Sequence, residues 1–190
     1  MAEQRDVHLF SDPDEFRALI EDLPERHPGV WLRFAKKGRA LVTITYDQAL
    51  DVAIAHGWID SQVRRFDDDS YLQAFTPRRA RSPWSRRNRE IAEAMIADGR
   101  MRPGGARAVE RAKADGRWDR AYAGPATADV PADFLAALAK NPTAQSFFDR
   151  LNNHNRYAIY YRLQEAKRPE TRTRRIATFV EMLARGEKFH

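Results

Sequence analysis

A chain of 190 residues, 43% hydrophobic and 32% charged, can bury a real core, and this composition excludes a disordered or fibrous polypeptide. Cysteine is absent, which excludes thiolate catalysis, disulfides and Cys-ligated zinc. A net charge of +6 fits nucleic acid or a membrane surface without demanding either, since ordinary arginine-rich proteins share it.

The opening segment, MAEQRDVHLFSDPDEF, has no apolar run with a basic flank. No stretch reaches the ~18 apolar residues of a membrane span. A soluble cytoplasmic protein with no membrane insertion is expected. Ser11-Asp12-Pro13 starts a helix, with Phe16, Leu19, Ile20 and Leu23 on its buried face and Pro24 as its stop. Residues 29–38 alternate Val30, Leu32 and Phe34 against Trp31 and Arg33, the pattern of a half-buried strand. The β-branched run 41–45 predicts a second strand beside it. Thr45 and Gln48 form a capping box for a helix that Gly57 stops.

Residues 58–66 and 71–75 predict a hairpin around the acidic turn DDDS. With the turn centred between Asp68 and Asp69, Pro77 faces Asp60 and Phe75 faces Gln62. Arg78 and Arg79 then return beside Trp58 and Asp60, and one arginine is expected to pair with the Asp60 carboxylate. Ser82-Pro83 opens the next helix, and a further one covers 103–115. The Gly-, Pro- and Ala-rich stretch 116–131 reads as a linker. Four helices follow, starting near Pro131, Asn141-Pro142, residue 155 and Pro169. Phe134, Leu135 and Leu138 are predicted inward on the first. The fold class is α+β and helix-rich: a small antiparallel or mixed sheet with packed helices over 1–120, and a helical C-terminal region over 131–190.

Chemistry is sparse. His8, His27, His56, His154 and His190 lie more than four residues apart, so no metal motif forms, and DDDS reads as a solvated turn. GRMRPGG lacks the Gly-Lys-Ser/Thr of a phosphate-binding loop, and KKGRA is too short for a dinucleotide fingerprint. No cofactor is expected. His56 and Asp60 flank a sharp turn and could form an acid–base pair; a helix stop, a core tryptophan and an ion pair explain the same residues more simply. Residues 64–89 hold eight arginines interleaved with Phe66, Tyr71, Phe75 and Trp84, a composition that can track nucleic acid. Those aromatics also fall at positions a core would use. A second basic cluster, KRPETRTRR at 167–175, opens the last helix. Arg172, Arg174 and Arg175 there are candidates for an anion site, against a solvated charged face as the plainer reading.

The stretch YDQALDVAIAHGWIDSQVRRFDDDSYLQAFTPRRARSPWSRRN resembles the core of the YdeI/OmpD-associated bacterial proteins, also described as bacteriocin-protection proteins. Tyr46, Ala49 and Leu50, Gly57–Asp60, Phe75–Arg78, and Ser82, Trp84 and Ser85 carry the likeness. Residues 166–187 resemble the family's helical end, and the likeness runs over about 10–187. The segment FRALIEDL departs from it, lacking a Trp-Leu pair. The resemblance implies a cytoplasmic stress-protection or binding protein, not a known reaction. Its working surface is then expected at Trp58, Asp60, Arg64, Arg78, Arg79, Arg81, Trp84 and Ser85, taking a small anionic ligand or a protein partner. A nucleic-acid-binding surface and an enzyme built on His56 and Asp60 are the two alternatives.

Overall fold

The computed structural model describes residues 5–24, 26–125 and 128–190. The first four residues of the opening segment, and 126–127 of the predicted linker, lie outside them. The chain divides into two compact units, Met1–Ala121 and Tyr122–His190. Among the described residues the fold is α+β and rich in helix, and no helix is long and apolar enough to cross a membrane.

The first unit runs β1 (Val7–His8), α1 (Pro13–Asp22), β2 (Val30–Ala35), α2 (Tyr46–Ala55), β3 (Trp58–Arg65), β4 (Ser70–Pro77), α3 (Arg86–Ala97) and α4 (Pro103–Ala114). Its strands form one mixed sheet, ordered β1-β2-β4-β3, in which only the β1–β2 pair is parallel. Both α1 and α2 begin with complete capping boxes, Asp12 with Glu15 and Thr45 with Gln48. Each box satisfies amides that have no partner inside the helix. The sheet and α1 sandwich a core of Phe16, Ile20, Val30, Leu32, Phe34 and Phe75, with Ala49 and Ala53 of α2. The opposite side of α2 presents Leu50 and Ile54 to Met95 of α3 and Val109 of α4. A helix buried on two sides explains why α2 is so rich in alanine.

Several expectations change. Residues 41–45 form no strand. Thr43 Oγ1 accepts from the Ala35 amide at 3.1 Å, and the Ile44 amide donates to Phe10 O at 2.9 Å, so the segment crosses the sheet's end as a tied loop. Trp31, expected outward, is buried with Leu72 and Ala74 under the Arg64 guanidinium, which lies 4.2 Å from its ring. The hairpin register is also displaced. Trp58, not Asp60, faces Pro77, and Asp60 faces Phe75. Half of the displacement lies in the turn, where Arg65 faces Tyr71, and half in a β-bulge between Asp60 and Val63 that adds a residue to β3, which a regular ladder count cannot anticipate. Helix α3 begins at Arg86 with Ser85 as its cap, three residues later than Ser82-Pro83 suggests. Trp118, assigned to the linker, is core: its ring meets Trp84 edge-on at 4.9 Å. The two-residue β1 is too short to leave a periodic signal.

The second unit contains α5 (Ala132–Leu138), α6 (Pro142–Asp149), α7 (Asn153–Gln164) and α8 (Pro169–Ala184). Asn141 and Asn152 cap α6 and α7 by accepting from Ala144 N and Asn155 N. Phe134, Leu138, Phe148, Ile159, Leu163, Phe179 and Leu183 fill the core. Leu135, expected inward, is 41% exposed.

One contact in the first unit has no side chain in it. Gly57 (φ +81) ends α2, and a Cβ there would lie 2.5 Å from Gly104 O. A Cβ on Gly104 would lie 2.4 Å from His56 O, and one on Gly105 2.3 Å from Ala55 O. The Arg102 amide donates to Ala55 O at 3.1 Å, joining the two backbones. Gly99 (φ +77) shares the left-handed conformation but has open space around it. Urea unfolding is therefore expected to show Gly99→Ala costing about 1 kcal/mol from backbone strain alone. Gly104→Ala should cost about 1–3 kcal/mol from overpacking alone, and Gly57→Ala more than either, because it combines both.

Candidate functional site

The turn at Gly57 directs Trp58 into the sheet while leaving its flanks at the surface. The end of β4 closes onto that turn, because the Arg78 amide donates to Gly57 O at 2.9 Å. GWID and TPRR are thus neighbours, as the hairpin reading requires. The Arg78 side chain then turns away from Asp60. Its guanidinium lies 3.6 Å from the centroid of the Trp84 ring, and Nη1 donates to Pro83 O at 3.0 Å. At 7% exposure it is a packed planar group, a place where arginine and lysine are not equivalent. The Arg79 amide donates to Ser82 Oγ and the Ser82 amide to Arg79 O, both at 3.0 Å. Arg117 Nη1 donates to Ser82 O at 2.7 Å. The loop 78–84 is therefore held in shape by its own arginine and a neighbouring one.

Beside this loop opens a cleft of about 780 Å³. Its walls are the end of α1 and the segment after it, the Gly57 turn, the exit of β4, and α4. Six arginines line it: Arg26, Arg78, Arg79, Arg102, Arg107 and Arg111. Among the described residues, Glu21 is the only carboxylate that lines it, and that group faces His56 Nε2 at 3.1 Å. The other ring nitrogen of His56, Nδ1, lies 2.8 Å from Val52 O. His27 also lines the cleft. Its Nδ1 accepts from the Gly29 amide at 3.1 Å, and its ring stacks on Trp58 with centroids 6.2 Å apart and planes 27° from parallel.

Residues 8–108, more than half of the chain, match a family model described as Domain of unknown function (DUF8412). The chain belongs to the DUF8412 family. Residues 127–186 match a second model, described as Bacteriocin-protection, YdeI or OmpD-Associated. This is the family the sequence resembles, and its match lies in the helical unit. The GWID and TPRR motifs fall instead within the DUF8412 match. No curated protein and no solved structure matches the chain.

Within the DUF8412 region, the expected site residues separate. Trp58, Arg78 and Arg79 line the cleft; Asp60, Arg64, Arg81, Trp84 and Ser85 do not. Asp60 accepts from the Tyr46 hydroxyl at 2.9 Å rather than from an arginine. Burial, and then the Asp60 carboxylate, push the Tyr46 phenol well above its ordinary value. Arg64 covers Trp31, Arg81 is exposed, Trp84 lies beneath Arg78, and Ser85 caps α3 by accepting from Asn88 N at 3.1 Å. His56 lines the cleft and faces Glu21 and Val52 O, whereas Asp60 does not line it and bonds to Tyr46. Arg26, Arg102, Arg107 and Arg111 escaped sequence reading. The available signal was the i, i+3, i+7 spacing of Gly104, Arg107 and Arg111 along α4.

In the YdeI or OmpD-associated region, the second basic cluster is largely internal bracing. Arg172 Nε and Nη2 donate to the Asp133 carboxylate at 2.5 and 2.8 Å, and Nη1 donates to Leu163 O at 2.9 Å. Arg175 donates to Arg162 O. Of the three candidates, Arg174 is the one whose side chain is exposed. The bidentate bond from Arg172 holds the Asp133 carboxyl below the ordinary aspartate value of 3.8. A carboxyl depressed by folding stabilises the native state above that value, and the contribution disappears as pH falls through the folded pKa. Arg172→Ala is accordingly expected to raise the midpoint pH of acid unfolding of the second unit, followed by tyrosine fluorescence. At neutral pH the stability change should be smaller than that of Arg78→Ala in the first unit, which loses about 2 kcal/mol of buried packing and hydrogen bonding.

Proposed function

We propose that the chain is a non-enzymatic binding protein of the bacteriocin-protection type, acting in the cytoplasm and taking a small polyanionic ligand in the arginine-lined cleft. The observation that carries this is convergence. Four separate chain segments bring six arginines and one glutamate to a single concavity. Among the described lining residues, arginine outnumbers carboxylate six to one. Packing alone gives no reason to gather like charges, since they repel one another. Within a low-dielectric concavity they focus the field and attract an anion. Arg26, Arg79, Arg102, Arg107 and Arg111 are all exposed and therefore accessible to one.

The nucleic-acid alternative has weaker support. Of the four interleaved aromatics, Phe75 and Trp84 are 0% and 2% exposed, Tyr71 is half-buried, and the exposed Phe66 has the Arg33 guanidinium 4.7 Å from its ring. Base stacking requires an open ring face.

Calorimetric titration of the full chain with inorganic tripolyphosphate tests the proposal. Binding is expected at low salt, weakening as ionic strength rises. Arg79→Ala and Arg111→Ala should each weaken it about fivefold or more, the worth of one partly exposed charge-assisted hydrogen bond, with the thermal midpoint little changed. Absence of binding at low salt, or binding by both variants as tight as by the unsubstituted protein, overturns the proposal.

A further inference from the structure

We infer that the ligand of the arginine-lined cleft is a nucleoside polyphosphate, with its phosphate chain along α4 and its base on the half-buried His27 ring, which the buried Trp58 backs. This rests on the anion-binding reading above and specifies its ligand. Three features of the cleft lead to it.

The first is the length of the cationic wall. Gly104, Arg107 and Arg111 all line the cleft and share one face of α4. Seven residues at 1.5 Å each span about 10 Å of helix axis. One phosphate or carboxylate meets only part of such a wall, whereas a chain of two or three phosphates can run along it. The wall begins at the positive end of the helix dipole, where no side chain caps the first turn.

The second is the shelf. Trp58 directly follows Gly57, which packs on Gly104, so the aromatic pair borders the start of the same wall. The His27 ring lies on Trp58 and is fixed there by the Gly29 amide bonding to Nδ1. That bond places the imidazole proton on Nε2, a donor to whatever enters the cleft. Leu23, Pro28 and Pro77 add apolar surface. A polyphosphate alone has no use for a planar aromatic surface, but a nucleobase stacks on one and accepts hydrogen bonds at its edge.

The third is size. About 780 Å³ falls in the range of drug-sized ligands and far exceeds the need of an inorganic anion. The guanidinium groups would do here what glycine-rich loops do elsewhere, consistent with the lack of a phosphate-loop motif in the sequence.

Titration of the full chain with ATP, GTP, CTP and UTP, each against tripolyphosphate and the matching nucleoside, decides the matter. At least one triphosphate should bind about tenfold or more tightly than tripolyphosphate, as stacking of one base contributes, and nucleosides alone should not bind measurably. His27→Ala should erase the preference for nucleotide and leave tripolyphosphate binding unchanged, while His27→Phe should retain it. Arg111→Ala should weaken both ligand types. Tripolyphosphate binding as tightly as every nucleotide, or a preference that survives His27→Ala, overturns the nucleoside assignment and leaves the anion site standing. If neither ligand type binds, both readings fall.

Discussion

Two backbones touching without side chains between them set the geometry of the first unit. The last turn of α2 and the first turn of α4 meet through Gly57, Gly104 and Gly105. Helices separated by side chains usually lie 8–10 Å apart; direct backbone contact brings a helix start against a helix end. The partly negative carbonyls of His56 and Ala55 then face the partly positive first turn of α4. This contact fixes where α4 lies relative to the Gly57 turn, and hence where Arg107 and Arg111 stand relative to Trp58. The cleft is a by-product of that approach as much as of its arginines.

Arginine serves two distinct purposes in this chain. Arg78 on Trp84, Arg64 on Trp31 and Arg172 on Asp133 act as flat building blocks. Each supplies planar surface or several directed hydrogen bonds. The other five arginines that line the cleft are instead exposed and gathered around one volume. A count of basic residues along the sequence merges these two populations. The densest run, at 78–81, contributes one structural arginine, one at the cleft and one exposed elsewhere. The sparser arginines of α4 contribute more to the cleft.

Local signals in the sequence were faithful. Capping residues marked α1, α2 and α6, because a cap is a bond between residues a few positions apart. The α+β class and the neighbourhood of GWID and TPRR were legible for the same reason: hairpin closure is short-range. What stayed hidden depends on distant partners. Trp118 looks like linker until Trp84 is placed against it. Asp60 was assigned an arginine by ladder counting, but the turn and an added residue at Ser61–Gln62 moved the register and Tyr46 of α2 took the bond. The run 41–45 has strand-like composition, yet no neighbouring strand is available to it, and β-propensity reflects such surroundings more than the backbone itself. Arg102, Arg107 and Arg111 carry no mark of function until α4 is packed on the Gly57 turn.

The bulge in β3 matters beyond its effect on register. β3 is one edge of the sheet, and the other edge is the two-residue β1. An open edge offers unpaired amides and carbonyls to any passing strand, including one from another copy of the chain. β1 is too short to template such pairing. β3 is long enough, but the bulge interrupts its hydrogen-bonding rhythm, and Arg64 and Arg65 place like charges where an identical strand would have to dock. The irregularity that displaced Asp60 thus also blunts β3 as a template for edge-to-edge pairing.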